Sequence, residues 1–187
     1  TKEAGQLKKY IQAHPEITDV LITGGDPLVM KTKNLRAHIE PLLELEQIRT
    51  IRIGSKALTF WPQRVVSDDD AQDLLDLFQE VQAKGKHLAL MAHYNHWQEL
   101  ETDIAREAVR RVRATGAVIR AQGPLLAHIN DNADDWARLW QTQVELGIIP
   151  YYMFVERDTG ARRYFEVPLA KAWEIYRDAM KQVSGIA

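Results

Sequence analysis

Cysteine does not occur anywhere in the 187 residues. That absence excludes disulfides and any zinc or iron–sulfur centre held by thiolates of this chain alone. Long hydrophobic runs are missing too. No stretch approaches the length of a membrane span, and the first residues lack the basic-then-apolar pattern of a secretory signal. Charge of one sign is not in excess: 24 Lys and Arg stand against 26 Asp and Glu, a formal net charge of −2 without a basic block. Neither nucleic acid nor an anionic membrane is therefore expected as a partner, and a cytoplasmic location is the default expectation. At 45% hydrophobic and 27% charged, the sequence has the make-up of a water-soluble globular chain, and its length fits one domain with a sizeable core.

The pattern along the chain alternates strand and helix. Leu7, Tyr10 and Ile11 share a helical face over residues 3–13, and Pro15 stops that helix. A chain that starts inside a helix, with no strand before it, reads as part of a longer protein. Val20-Leu21-Ile22-Thr23 is then a strand running into Gly24-Gly25-Asp26. A helix is expected over 34–43, a strand over 48–53 and a loop through Trp61-Pro62-Gln63. The helix after that loop takes Ser67 as its N-cap, Asp68, Asp69 and Asp70 in its first turn, and Gly85 as its stop. Strand 87–92, a helix over about 101–115, strand 117–121, a helix over 134–146, strand 148–155 and a helix from Pro168 to Val183 complete the series.

Strand-then-helix units at about thirty-residue spacing, with mostly continuous apolar strands, predict a parallel sheet covered by helices. Both a (β/α) barrel and a doubly wound sheet fit this pattern. Both place ligands at the carboxyl ends of the strands. Those ends carry Gly24, Gly25 and Asp26; Arg52, Gly54 and Ser55; His93, Asn95 and His96; Gln122; and Glu156, Arg157 and Asp158. Loops in parallel sheets are polar in any case, and glycine pairs make ordinary turns. Polar groups at every strand end together predict one shared pocket.

In these residues the chain resembles the lysine 2,3-aminomutase family of radical S-adenosylmethionine enzymes, from about residue 18 to its end. The resemblance is carried by Leu21-Ile22-Thr23-Gly24-Gly25-Asp26, by Arg52-Ile53-Gly54-Ser55 with Pro62-Gln63-Arg64, and by His93-Tyr94-Asn95-His96. Leu125-Leu126 with Asn130-Asp131, and Pro150-Tyr151-Tyr152, follow in the same order. The resemblance implies an open, partial (β/α) barrel of about five parallel strands as a single domain. It implies S-adenosylmethionine across the strand ends, near Gly24, Gly25 and Asp26, with Arg52, Ser55, His93, Asn95 and Gln122 lining the same cavity. The activity it implies is migration of an amino group between adjacent carbons of an amino acid, through a 5′-deoxyadenosyl radical and with pyridoxal phosphate.

The family's [4Fe–4S] cluster requires three cysteines that this chain lacks, and its imine-forming lysine lies past the position of Ala187. The resemblance therefore implies scaffold and cofactor wall without either reactive end, and leaves open a barrel that binds S-adenosylmethionine without catalysis, or another radical reaction on the same scaffold. Substrate contacts are expected from Glu156, Arg157 and Asp158. An ungapped match puts Arg157 where lysine aminomutases carry an aspartate that pairs with the substrate's distal ammonium, which points to an amino acid without a distal cation; a one-residue shift of this loop instead puts Glu156 or Asp158 there and turns Arg157 to water. An unprotected first strand predicts association of copies into a homo-oligomer at the Val20–Thr23 edge or at another exposed apolar face.

Overall fold

Each apolar run of the sequence becomes a strand, and each of the first four strands is followed by helical chain that leads back to the start of the next. The computed structural model describes residues 2–156 and 161–187. Helix α1 (Lys2–Ala13) leads to β1 (Asp19–Ile22), α2 (Thr32–Leu43) to β2 (Thr50–Ser55), and α3 (Ala57–Phe60), α4 (Gln63–Val66) and α5 (Ala71–Ala83) to β3 (His87–His93). After β3 come α6 (Asp103–Ala114), β4 (Val118–Leu125), α7 (Ala133–Glu145), β5 (Ile149–Val155), α8 (Arg162–Phe165) and α9 (Leu169–Met180). No helix among the described residues is long and apolar enough to cross a membrane.

The sheet has the order β1-β2-β3-β4-β5, and every neighbouring pair is parallel. This order decides between the two architectures that the pattern allowed. A doubly wound sheet must reverse direction to cover both faces, whereas strands added one after another by right-handed crossovers put every helix on one side. The burial agrees: Ile51 and Ile53, Leu88 and Leu90, Ile119 and Ala121 belong to one core with the apolar faces of α2, α5, α6 and α7. The opposite face carries Arg52, Met91, His93, Arg120 and Gln122, which alternate with those core residues along the strands. The result is an open α/β barrel wall, with β1 and β5 as its edges.

Some elements differ from the sequence expectation. The stretch around Trp61 is two short helices rather than a loop, because Arg64 draws the chain inward. Its guanidinium is 1% exposed and donates to the carbonyls of Leu28 (2.7 Å) and Met30 (3.1 Å), to the Thr32 hydroxyl (3.0 Å) and to Asp70 (2.9 Å). This same pairing moves the start of α5: Asp70, not Ser67, occupies the cap position, and its carboxylate serves Arg64 and the Thr32 amide (2.6 Å) instead of its own helix. Strand β4 runs four residues beyond Ala121, so Gln122 lies within the sheet rather than in a loop after it. The helix α8 was not anticipated, and Pro168 precedes α9 at its cap position.

Candidate functional site

The carboxyl ends of the five strands are tied to one another by side chains. At the end of β1 the Asp26 carboxylate accepts from the Leu28 amide (3.0 Å), starting a short 3-10 turn, and also from the Ser55 hydroxyl (2.8 Å) and Lys56 amide (2.6 Å) at the end of β2. Lys56 then reaches Glu99 at 3.0 Å. Glu99 in turn accepts from the backbone amides of Asn95 (2.6 Å) and His96 (3.2 Å) beyond β3, closing a capping box around His96. Asn130, 1% exposed, donates to the carbonyls of Asn95 (2.7 Å) and Pro124 (2.9 Å), which joins the loops after β3 and β4. Finally the Tyr152 hydroxyl of β5 donates to the Gln122 side chain at 2.7 Å.

Within this rim the residues expected from the sequence fall into two groups. Gly24, Gly25, His93 and Gln122 offer groups to the open face. Gly24 has φ 131°, a conformation that side chains rarely adopt, and an added Cβ at either glycine would meet nothing within 4 Å. The backbone there is bare and accessible. His93 Nε2 donates to Asn95 Oδ1 (2.7 Å), which leaves Nδ1 as an acceptor. Burial first, and the positive charge of Lys56 second, hold its imidazole below the usual value despite opposing contributions from Asn95 and Glu99. His93 is therefore neutral at neutral pH. Gln122 accepts from Tyr152 through its carbonyl oxygen, and among the described residues its amide nitrogen makes no hydrogen bond.

Asp26, Ser55 and Asn95 instead build the rim. Their side-chain bonds go to neighbouring protein groups, Ser55 accepting from the Ala57 amide at 2.9 Å as well. Arg52 departs from its expected place. It sits in the middle of β2, and Asp19, at the start of β1, takes its guanidinium at 2.8 Å, so it points away from the strand ends. Glu156 follows β5 and is half-buried, while Arg157 and Asp158 lie outside the described residues.

Sequence reasoning missed Lys56, Glu99, Asn130 and Tyr152 as parts of this site. The spacing of Glu99, three residues after His96, is the signature of a capping box and could have revealed it. Gly123 is fixed for another reason: a Cβ there would stand 2.2 Å from the Tyr94 carbonyl oxygen, so β4 and the turn after β3 touch through bare backbone. Among the described residues no cluster of three or more His, Asp or Glu side chains is placed to hold a metal ion.

One sheet face covered by helices, and a polar rim at the carboxyl ends of sequentially ordered parallel strands, define an open, partial α/β barrel. A solved radical SAM methyltransferase from Sphaerobacter thermophilus has this fold: it superposes with a TM-score of 0.59 at 12% identity, over 98% of this chain and 55% of that one. No protein-family model matches the chain. By sequence, a protein of Aquifex aeolicus named as an L-lysine 2,3-aminomutase is 39% identical over 186 residues, all of this chain and 49% of that protein. The glutamate 2,3-aminomutase of Clostridioides difficile is 28% identical over 95% of the chain and 40% of its own length. Along its whole length the chain is similar to half-length stretches of proteins named lysine 2,3-aminomutase, and it spans about half the length of the curated relatives it matches.

Proposed function

We propose that this chain is the cofactor-binding wall of an enzyme that moves an amino group between adjacent carbons of an amino acid. The observation that carries the reading is the arrangement of the rim. Bare backbone at Gly24 and Gly25, the Nδ1 acceptor of a neutral His93 and the amide nitrogen of Gln122 border one open face. This mixed set of donors and acceptors, next to a turn without side chains, suits the aminoacyl and nucleoside parts of S-adenosylmethionine. When bound, that molecule would supply a radical initiator, and the chemistry would be the cofactor's. The chain's own work is to bind and orient it. Asn95 fixes the His93 ring, and the ties among Asp26, Ser55, Lys56 and Glu99 keep the strand ends in place.

The residues present do not fit a [4Fe–4S] cluster, since thiolates are its usual ligands and the sequence has no cysteine. For pyridoxal phosphate, the rim lysine Lys56 is engaged with Glu99 at 3.0 Å and is not offered as an imine-forming group. The missing thiolates favour a second reading for these 187 residues taken alone: binding of S-adenosylmethionine without turnover. For the substrate we propose an amino acid without a distal cation, on the strength of Arg157 in the sequence and of a relative named as a glutamate aminomutase. Copies of the chain are proposed to associate at the β1 edge, where Leu21 is 43% exposed.

Isothermal titration of S-adenosylmethionine into the purified chain tests the binding role. Measurable affinity that Gln122→Ala weakens supports it, and absence of affinity in the folded chain overturns it. Sedimentation of the same sample reports on association, with a strictly monomeric species at high concentration as the contrary outcome.

A further inference from the structure

Helix α9 carries two apolar faces. Ala172, Ile175 and Ala179 are buried, and α9 packs against α7. The second face is turned outward: Leu169 is 75% exposed, Trp173 60%, Tyr176 37% and Met180 39%. A surface helix ordinarily keeps one apolar stripe for the core and gives the opposite side to polar residues. The outward stripe is also continuous with the edge of the sheet. The rings of Trp173 and Tyr176 are stacked with their centres 6.1 Å apart, and Tyr176 and Met180 share with Tyr151 and Tyr152 of β5 a groove of about 370 Å³.

The spacing of the stripe says what fits it. Steps of four, three and four residues from Leu169 to Met180 form the seam of a helix that packs along a second helix of the same repeat. The stripe runs the whole length of α9, so its midpoint falls between Trp173 and Tyr176. A two-fold axis through that midpoint turns the stripe onto itself: Leu169 of one copy meets Met180 of the other, and Trp173 meets Tyr176. Ring is set against ring and aliphatic end against aliphatic end. Along one flank the same axis brings Glu174 of each copy beside Arg177 of the other, opposite in charge.

We propose that α9 is a dimer interface in which two copies of this chain pair their helices antiparallel, with Trp173 and Tyr176 at its centre. Large aromatic side chains in the middle of a contact are those that contribute most to its strength. The contact closes on itself and lies at the opposite end of the sheet from β1. It does not depend on the reading of the open face as a cofactor wall.

The lack of cysteine lets covalent trapping report the geometry. Positions 169 and 180 of one helix stand about 16 Å apart along its axis, too far for a disulfide within one copy. Under mild oxidation the double variant Leu169→Cys/Met180→Cys is expected to form a disulfide-linked dimer. Each single variant, whose two thiols are equally far apart across the two-fold, should stay unlinked. Sedimentation over a range of concentrations measures association of wild type, of Trp173→Glu and of Leu21→Glu at the β1 edge, and thermal melting checks that each is folded. Wild type is expected to dimerise, and Trp173→Glu to weaken the dimer by about thirtyfold or more. A wild type that stays monomeric overturns the inference and leaves this face to another chain. Equal association of wild type and Trp173→Glu overturns it as well, and a loss seen only in Leu21→Glu then assigns the dimer to the β1 edge. Linkage of a single variant in place of the double one overturns the antiparallel pairing.

Discussion

The carboxylate of Asp26 accepts the hydroxyl of Ser55 at 2.8 Å, so the turn after the first strand and the end of the second are held by one side chain. Two backbone amides, Leu28 and Lys56, complete its coordination. Asp26→Ala leaves all three donors without their acceptor. We expect it to lower stability by about 2–3 kcal/mol, from the loss of charge-assisted bonds in a half-buried place. Chemical denaturation measures this. A variant as stable as wild type would show the turn to be held by its backbone alone.

The glycines before it differ in what they tolerate. Gly24 has φ 131°, whereas Gly25 has an ordinary backbone and open space where a Cβ would go. Gly24→Ala should therefore cost about 1 kcal/mol or more in stability, while Gly25→Ala is near neutral for folding. Gly25→Val should leave the melting temperature close to wild type and reduce S-adenosylmethionine binding, because its side chain projects into the space left for the ligand. Wild-type affinity in Gly25→Val would remove this turn from the site.

Arg64 and Asp70 form the tightest corner outside the rim. Burial alone would raise the Asp70 carboxyl, but its hydrogen bonds from Thr32 and the charge of Arg64 outweigh this and hold it below the usual carboxylate value. A folded-state value below the unfolded one contributes stability that is present above the unfolded pKa, about 3.9, and is lost as pH falls through the folded one. Wild type should thus lose stability below about pH 4 more steeply than Asp70→Asn. At neutral pH, Arg64→Ala should cost about 3–5 kcal/mol, since it leaves Asp70 and two carbonyls without their buried donor. Denaturation as a function of pH checks both.

His93 predicts a pH dependence of its own. Its imidazole is held below its usual value, so the unfolded chain takes up a proton more readily than the folded one. Its contribution is complete above the unfolded pKa of about 6.5 and declines as pH drops below it. Between pH 7 and 5 the wild type should lose stability faster than His93→Gln. Parallel profiles for the two proteins would show that the ring is free to protonate in place.

Much of this was legible in the sequence because parallel strands buried under helices read as apolar runs. The runs ending at Gly24, His93 and Val155 marked β1, β3 and β5 to within a residue or two. The end of β4 was less clear, since Gln122, Gly123 and Pro124 look like a loop. They stay in the sheet because β5 pairs with them after a bulge at Ala121/Gln122 and because Gly123 lies against Tyr94. The polar residues near the strand ends were legible as a list, but not which of them bind one another. Which polar residues point to the open face and which bind each other depends on partners 29 to 43 positions away, such as Ser55 for Asp26 and Glu99 for Lys56. Local pattern carries no trace of those distances. Arg52 was misplaced for this reason: its partner Asp19 belongs to another strand.

The order in which the strands stand in the sheet is also the order in which a ribosome makes them. No strand waits for a partner that is synthesised later than the next one. The growing polypeptide can add each strand and its covering helix to the sheet already formed, much as a linear array of repeats propagates from its first units. Such an architecture would be built vectorially, with β5 and α9 depending on the four units of strand and helix made before them.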